Sequence, residues 1–149
     1  MERMIFVDSN IWCYYFDRST IEHDLVSERL EDALESGVAI NTVVAMEVAH
    51  YLIRNLGPSG KKKMEVFLSY PMEVVDFDQY IARRSIEYLS RLSHTGIGGR
   101  DATILASMEG IGIEKLMTHD QAFKRIDFIE VVDPFSLIVG MGMLDEIGA

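Results

Sequence analysis

The chain has 149 residues, 48% of them hydrophobic, with one cysteine and a formal net charge of −10. That length and apolar content suit one folded domain with a real core and argue against disorder. The lone Cys13 leaves no internal disulfide and fits a reducing compartment, and the acidic balance argues against indiscriminate attraction to nucleic acid. Acids gathered around a cation would inflate that charge without excluding nucleic acid as a substrate. No charged-then-apolar leader precedes the first apolar run, and the late run from Phe135 to Leu144 is too short to span a bilayer. A soluble, cytoplasmic chain with no membrane contact is expected.

Met4 to Val7 is a continuously apolar run, as a strand buried on both faces requires, and it stops at Asp8-Ser9-Asn10, residues that favour turns and helix caps. Ile11 to Phe16 reads as a turn or two of helix. Ser19 and Glu22 form a capping-box pattern opening a helix that carries Leu25, Val26, Leu30, Ala33 and Leu34 and stops at Gly37. Val38-Ala39-Ile40 is a second strand, and Asn41 or Thr42 caps a helix running to Gly57-Pro58. Ser59 opens the next helix, with Met64, Phe67 and Leu68 inside and Lys61-Lys62-Lys63 in its first turn, where the helix dipole disfavours cations. Val74-Val75 centres a third strand. A helix from Asp78 to Leu92 follows, with Ile81, Ala82, Ile86, Leu89 and Leu92 as its stripe. After a glycine-rich loop come a helix from Arg100 to Glu109 ended by Gly110 and Gly112, a strand at Lys115–Met117, a short helix at Asp120–Arg125 and a strand at Phe128–Val132. Strands alternating with helices predict a three-layer α/β/α sandwich around a mostly parallel sheet of four to five strands.

Ligands of such sheets sit beyond the carboxyl ends of the strands, which is where Asp8 should point. Glu47 is the most informative residue, because it interrupts a helical segment, Val43 to Ala49, that is apolar nearly all round. An ionised carboxylate there needs a metal or a paired cation, an arginine included, unless it sits at a rim. Asp101 and Asp120 each stand at a helix start, where an acid either stabilises the dipole or stays ionised for a cation. Taken together, Asp8, Glu47, Asp101 and Asp120 can reach one end of the sheet, and four convergent acids call for a divalent metal. Cys13, Ser9 and Ser107 have no base suitably placed to make them nucleophiles. His50 completes a single E-x-x-H, whereas a di-iron site needs two, and His119 reads as an exposed turn residue.

VDSN at residues 7–10, TVVAMEVAHYL at 42–52, DATILA at 101–106 and LMTHDxxF at 116–123 stand in an order that resembles PIN domains. More narrowly, they resemble the VapC-type ribonuclease toxins of prokaryotic toxin–antitoxin pairs. The resemblance spans about residues 4–134, giving a PIN-like nuclease domain over 1–134 and an extension over 135–149 packed on that domain or on a dimer partner. It implies that Asp8, Glu47, Asp101 and Asp120 surround Mg²⁺ or Mn²⁺ as metal-binding and catalytic residues, with Asn10 and Thr118 orienting the site. It also implies metal-dependent RNA hydrolysis, a homodimer and a cognate antitoxin. Lys61, Lys62, Lys63, Arg83, Arg84 and Arg100 are the candidates for contact with the RNA backbone. The HTGIGGR loop before Asp101 is more glycine-rich than the family pattern, so the placement of that acid rests on the residues after it. Two other readings are a PIN-like module that binds RNA or protein without hydrolysis, and a haloacid dehalogenase-type phosphatase. The phosphatase would want a second Asp where Asn10 stands.

Overall fold

In the computed structural model, which describes residues 4–136, β1 (Ile5–Val7) is buried at every position and forms the middle of a five-stranded sheet. The strand order is β3 (Glu73–Val75), β2 (Val38–Asn41), β1, β4 (Lys115–Met117), β5 (Glu130–Val132), with all pairings parallel. The chain first works outward from β1 to β3, then returns to the other side of β1. Right-handed crossovers then put the first four helices on one face and the last two on the other. The packing agrees: α1 (Ser9–Phe16) meets α2 (His23–Ser36) and α3 (Thr42–Leu56), α3 meets α4 (Pro58–Ser69), and α5 (Gln79–Leu92) meets α6 (Gly99–Ile111). The direction of winding reverses between β1 and β4, which opens a crevice at their carboxyl ends. The expected three-layer sandwich is observed. The expected extension beyond Ser136 lies outside the described residues.

Two features lock the elements that border the crevice. Trp12 sits fully buried on α1, donates its indole N–H to Val7 O at 3.3 Å and packs on Phe67 of α4, which fixes α1 directly after β1. Asn41, also fully buried, caps α3 by accepting from Val44 N at 2.7 Å while its amide donates to Thr103 and Ser107 of α6. One side chain thus ties β2 and α3 to the helix across the sheet.

Several local expectations fail for physical reasons. Ser19 and Glu22 make no capping box: Asp17 accepts from both the N–H and the hydroxyl of Ser19, so the serine is consumed in a turn and α2 starts at His23. Leu25, Leu68 and Ile86, expected on inner faces, are solvent-exposed, the last two by 57% and 65%. On α5 the inward positions belong to Ile81, Ser85 and Tyr88, with the Ser85 hydroxyl satisfied by Ile81 O and the tyrosine ring packed on Phe128. Gly110 lies inside α6, which is ended by Gly112 at φ +69°.

The approach of α4 to α3 depends on Gly60, where a Cβ would stand 2.0 Å from Leu52 O. Gly60→Ala should lower stability by about 1–3 kcal/mol, the cost of forcing atoms into a packed contact. Urea unfolding measures it, with the exposed Ser59→Ala expected to stay within about 0.5 kcal/mol of wild type.

Candidate active site

Register decides what meets Asp8. Val7 pairs with Met117, so Asp8 and Thr118 leave the two central strands side by side, and the ladder continues one residue further through Asp8 N to Met117 O and Thr118 N to Val132 O. The Asp8 carboxylate is fully buried. Its Oδ1 accepts from Ser9 N at 2.7 Å and its Oδ2 from the Thr118 hydroxyl at 2.7 Å. The same hydroxyl oxygen accepts from Asp120 N at 3.0 Å and from Asn10 Nδ2 at 3.4 Å. One threonine oxygen therefore joins both strand ends.

Glu47 and Asp101 arrive from opposite faces of the sheet. Glu47 lies in the second turn of α3, and Asp101 in the first turn of α6, where its Oδ2 accepts from Gly98 N at 3.0 Å. Between them stands Arg100. Its Nε and Nη1 contact the two Glu47 oxygens at 2.7 and 2.9 Å, Nη1 lies 3.3 Å from Asp8 Oδ1, and Nη2 lies 2.9 Å from Asp101 Oδ1. The last contact has the distance of an ion pair but not the direction of a hydrogen bond, so buried Asp101 Oδ1 has no hydrogen-bond partner among the described residues. Burial raises the Glu47 carboxyl above its ordinary value, with Arg100 pulling it back. Asp101 is also raised by burial, against the Gly98 N–H and Arg100, with Asp120 and Asp8 adding to the rise. An acid whose folded pKa is raised takes up protons more readily folded than unfolded. The pair therefore costs stability at neutral pH, and that cost fades as pH falls through the raised values toward the ordinary carboxylate range.

The structure thus brings Asp8, Glu47 and Asp101 together on one guanidinium, with the charge of Asp120 near enough to act on Asp101. Asp120 also performs the bland role its position allows, capping the following 3-10 turn through Ala122 N at 2.9 Å. Every side chain at the crevice able to ligate a cation would do so through oxygen. Two of these oxygens, Asp101 Oδ1 and Asn10 Oδ1, are buried without hydrogen-bond partners among the described residues. That set suits a hard divalent cation, which binds one or two carboxylates and keeps several waters. As the side chains stand, no three His, Cys, Asp or Glu among the described residues are grouped to hold an ion. Arg100 is the group between them.

The basic candidates divide. Lys63 donates to Phe16 O at 2.5 Å, at the end of α1, and the lysine triplet follows α3, whose 15 residues lead about 22 Å away from the carboxyl edge. Lys61 and Lys62 are exposed there, remote from Asp8. Arg83 is exposed, whereas Arg84 is engaged with Glu87 and, at 2.7 Å, with Glu109. Arg100 is half-buried, with its guanidinium engaged by the acids. Burial pushes the Cys13 thiol up to about 12, which removes it as a nucleophile.

Two features were not anticipated. The sequence offers Arg100 only as an RNA-backbone candidate and not as the shared partner of the acids, because adjacent helical residues rarely face each other, yet at this helix start Arg100 contacts its neighbour Asp101. Asp133 is buried and accepts from Lys124 Nζ at 2.7 Å, with His119 Nδ1 at 3.1 Å. Despite burial, which pushes it up, Lys124 and His119 hold its carboxyl below the usual value. His119 is therefore a half-exposed member of an ion-pair cluster rather than a free turn residue.

Comparison with known proteins follows the same outline. The family model for the PIN domain matches residues 5–129. A curated relative, Ribonuclease VapC2 of Methanocaldococcus jannaschii, is 27% identical over 146 residues, covering 89% of this chain and 95% of that protein. The crystal structure of Mycobacterium tuberculosis VapC20, a Sarcin-Ricin loop cleaving toxin, superposes with a TM-score of 0.74 at 25% identity, over 85% of this chain and 98% of its own. VapBC2 from Rickettsia felis, solved bound to a DNA fragment from its promoter, superposes with a TM-score of 0.68 at 21% identity, over 87% and 98% of the two chains, a likeness of fold.

Thr118→Val keeps the shape of the side chain and removes the oxygen shared by Asp8, Asn10 and Asp120. Stranding those partners should cost about 1–3 kcal/mol in urea unfolding, more than a single exposed hydrogen bond would.

Proposed function

The chain belongs to the PIN domain family, and from that membership we propose that it is a divalent-metal-dependent endoribonuclease, the VapC-type toxin of a toxin–antitoxin pair. One observation carries the reading: three carboxylates from β1, α3 and α6 converge on a single cation at the crevice where the sheet reverses its winding. Its M. jannaschii relative is named a ribonuclease and the M. tuberculosis structure is a toxin that cleaves the Sarcin-Ricin loop, which supports RNA as the substrate class. Asp8, Glu47, Asp101 and Asp120 would hold Mg²⁺ or Mn²⁺, with Asn10 and Thr118 orienting them. A divalent ion there supplies the charge that makes a water nucleophilic and stabilises the leaving oxygen of an in-line displacement.

The chain's own residues supply position. The Ser9 N–H and the Thr118 hydroxyl hold the two Asp8 oxygens in one orientation, and Gly98 N does the same for one oxygen of Asp101. Burial raises Glu47 and Asp101, and a cation bound beside them would favour their charged forms against that desolvation. No protein nucleophile is needed, in keeping with the buried, high-pKa Cys13. Lys61, Lys62 and Arg83 are exposed, and any contact they make with RNA backbone would be distant from the scissile bond.

Partners follow the same logic. The R. felis relative is a VapBC complex, and M. jannaschii VapC2 belongs by name to the same toxin group, which supports a cognate antitoxin here. A homodimer in the cytoplasm completes the proposal. Met46 and Ile53 of α3 are exposed in line with Val43 and His50, beside Glu47, and make an apolar strip of the kind partners cover. No helix among the described residues is long and apolar enough to cross a membrane.

The occupation of three acids by Arg100 favours one rival, a PIN module that binds RNA without cutting it. Asp8→Asn separates the two. For a nuclease, Mn²⁺-dependent cleavage should fall by more than the roughly 10–100-fold that loss of an outer-shell partner costs, with Mn²⁺ uptake reduced. A binding module would show no metal-dependent cleavage in the wild type and unchanged RNA affinity in the variant. Charge reversal at Lys61 and Lys62 should flatten the salt dependence of RNA binding by about 0.7 in log–log slope for each phosphate no longer neutralised. An unchanged slope removes the lysines from the RNA path.

A further inference from the structure

Arg100 holds its three acids unequally. Its grip on Glu47 is a two-point fork at 2.7 and 2.9 Å, the geometry that makes arginine–carboxylate pairs strong and directional. Its contact with Asp8 Oδ1 is long, at 3.3 Å, and its contact with Asp101 Oδ1 lacks hydrogen-bond direction although the atoms are 2.9 Å apart. The first is a hydrogen bond near its length limit, and the second oxygen is held by charge alone on the arginine side. The opposite oxygens of both aspartates are fixed by Thr118 and by Gly98 N, so neither carboxylate depends on Arg100 for its position.

The arginine also has somewhere to go. Its side chain is 35% exposed, and it follows Gly98 and Gly99, around whose Cβ positions no atom lies within 4 Å. A guanidinium cannot shed its proton to vacate the site, so it leaves only by moving.

We propose that Arg100 is a resident counter-cation that occupies the divalent-ion seat, so that metal and guanidinium compete first for Asp8 and Asp101, with Glu47 the acid on which the arginine's hold is firmest. This rests on the metal-dependent reading above. In the metal-free chain the guanidinium neutralises part of a cluster that would otherwise repel itself. Removal of the single positive partner of buried acids is strongly destabilising, which is what Arg100 prevents. The same occupancy weakens metal binding: the apparent dissociation constant is the intrinsic one divided by the fraction of molecules whose seat is open. Metal uptake and release of the arginine from Asp8 and Asp101 are one event.

The test is calorimetric titration of the full chain with MnCl₂ at one pH, comparing wild type with Arg100→Met, which keeps an apolar stem and removes the cation. Arg100→Met should bind Mn²⁺ about tenfold more tightly, as for a seat open in roughly one wild-type molecule in ten. Its melting temperature in chelator should fall below that of wild type, and Mn²⁺ should raise it by more. Equal or weaker Mn²⁺ binding by the variant overturns the competition and leaves the metal-dependent reading standing. Uptake by neither protein overturns both. Should Arg100→Met fail to fold, the wild type decides alone: saturating Mg²⁺ must shift the Arg100 side-chain Nε–Hε resonance, and a resonance that does not move overturns the proposal.

Discussion

Confinement of negative charge at the mouth of the sheet is the constraint on which the rest of the structure turns. Asp8 is fully buried and Asp101 nearly so, and both stand within reach of the same guanidinium as Glu47. Buried like charges stay ionised only beside a cation, because otherwise they take up protons. The site is therefore built around a positive charge, whether the arginine's own or that of a metal ion.

The fold makes this confinement rigid. Asp8 and Thr118 are set by the pairing register of the two central strands, not by flexible loops. Asp101 is held in the first turn of a helix whose body is anchored to β2 and α3 through Asn41. Trp12 pins α1 behind Asp8. Each acid thus belongs to an element packed into the common core, so their separation is fixed before any ligand binds. Such preorganisation is what an oxygen site for a hard cation requires.

The charge of the whole chain acquires a local meaning from this arrangement. A net charge of −10 would hinder contact with a polyanion if it were spread evenly. Part of it is instead concentrated at the crevice, where Arg100 offsets some of it. The cations meanwhile are partly spent on internal pairs: Arg84 on Glu87 and Glu109, Lys124 on Asp133, Lys63 on a backbone carbonyl. Membership of the PIN family, with a ribonuclease and toxins among its relatives, gives that concentration its chemical sense.

Much was legible in the residues alone. The apolar run of β1, the glycine stops at Gly37 and Gly57, and the anomaly of a carboxylate at Glu47 within an apolar helix follow from local chemistry that neighbours in space do not alter. Their order along the chain was enough to predict a parallel sheet with Asp8 at its carboxyl edge. Packing decided the rest. Tyr88 rather than Ile86 faces inward because Phe128, 40 residues on, offers its ring a partner, and Ser19 caps no helix because Asp17 claims its hydroxyl. Which cation answers the buried acids was also beyond the sequence. Arg100 lies 92 residues from Asp8 and 53 from Glu47, and only the crossing of the chain between β1 and β4 brings them to one point. A residue's own chemistry sets what it needs; the tertiary fold alone determines which distant group supplies it.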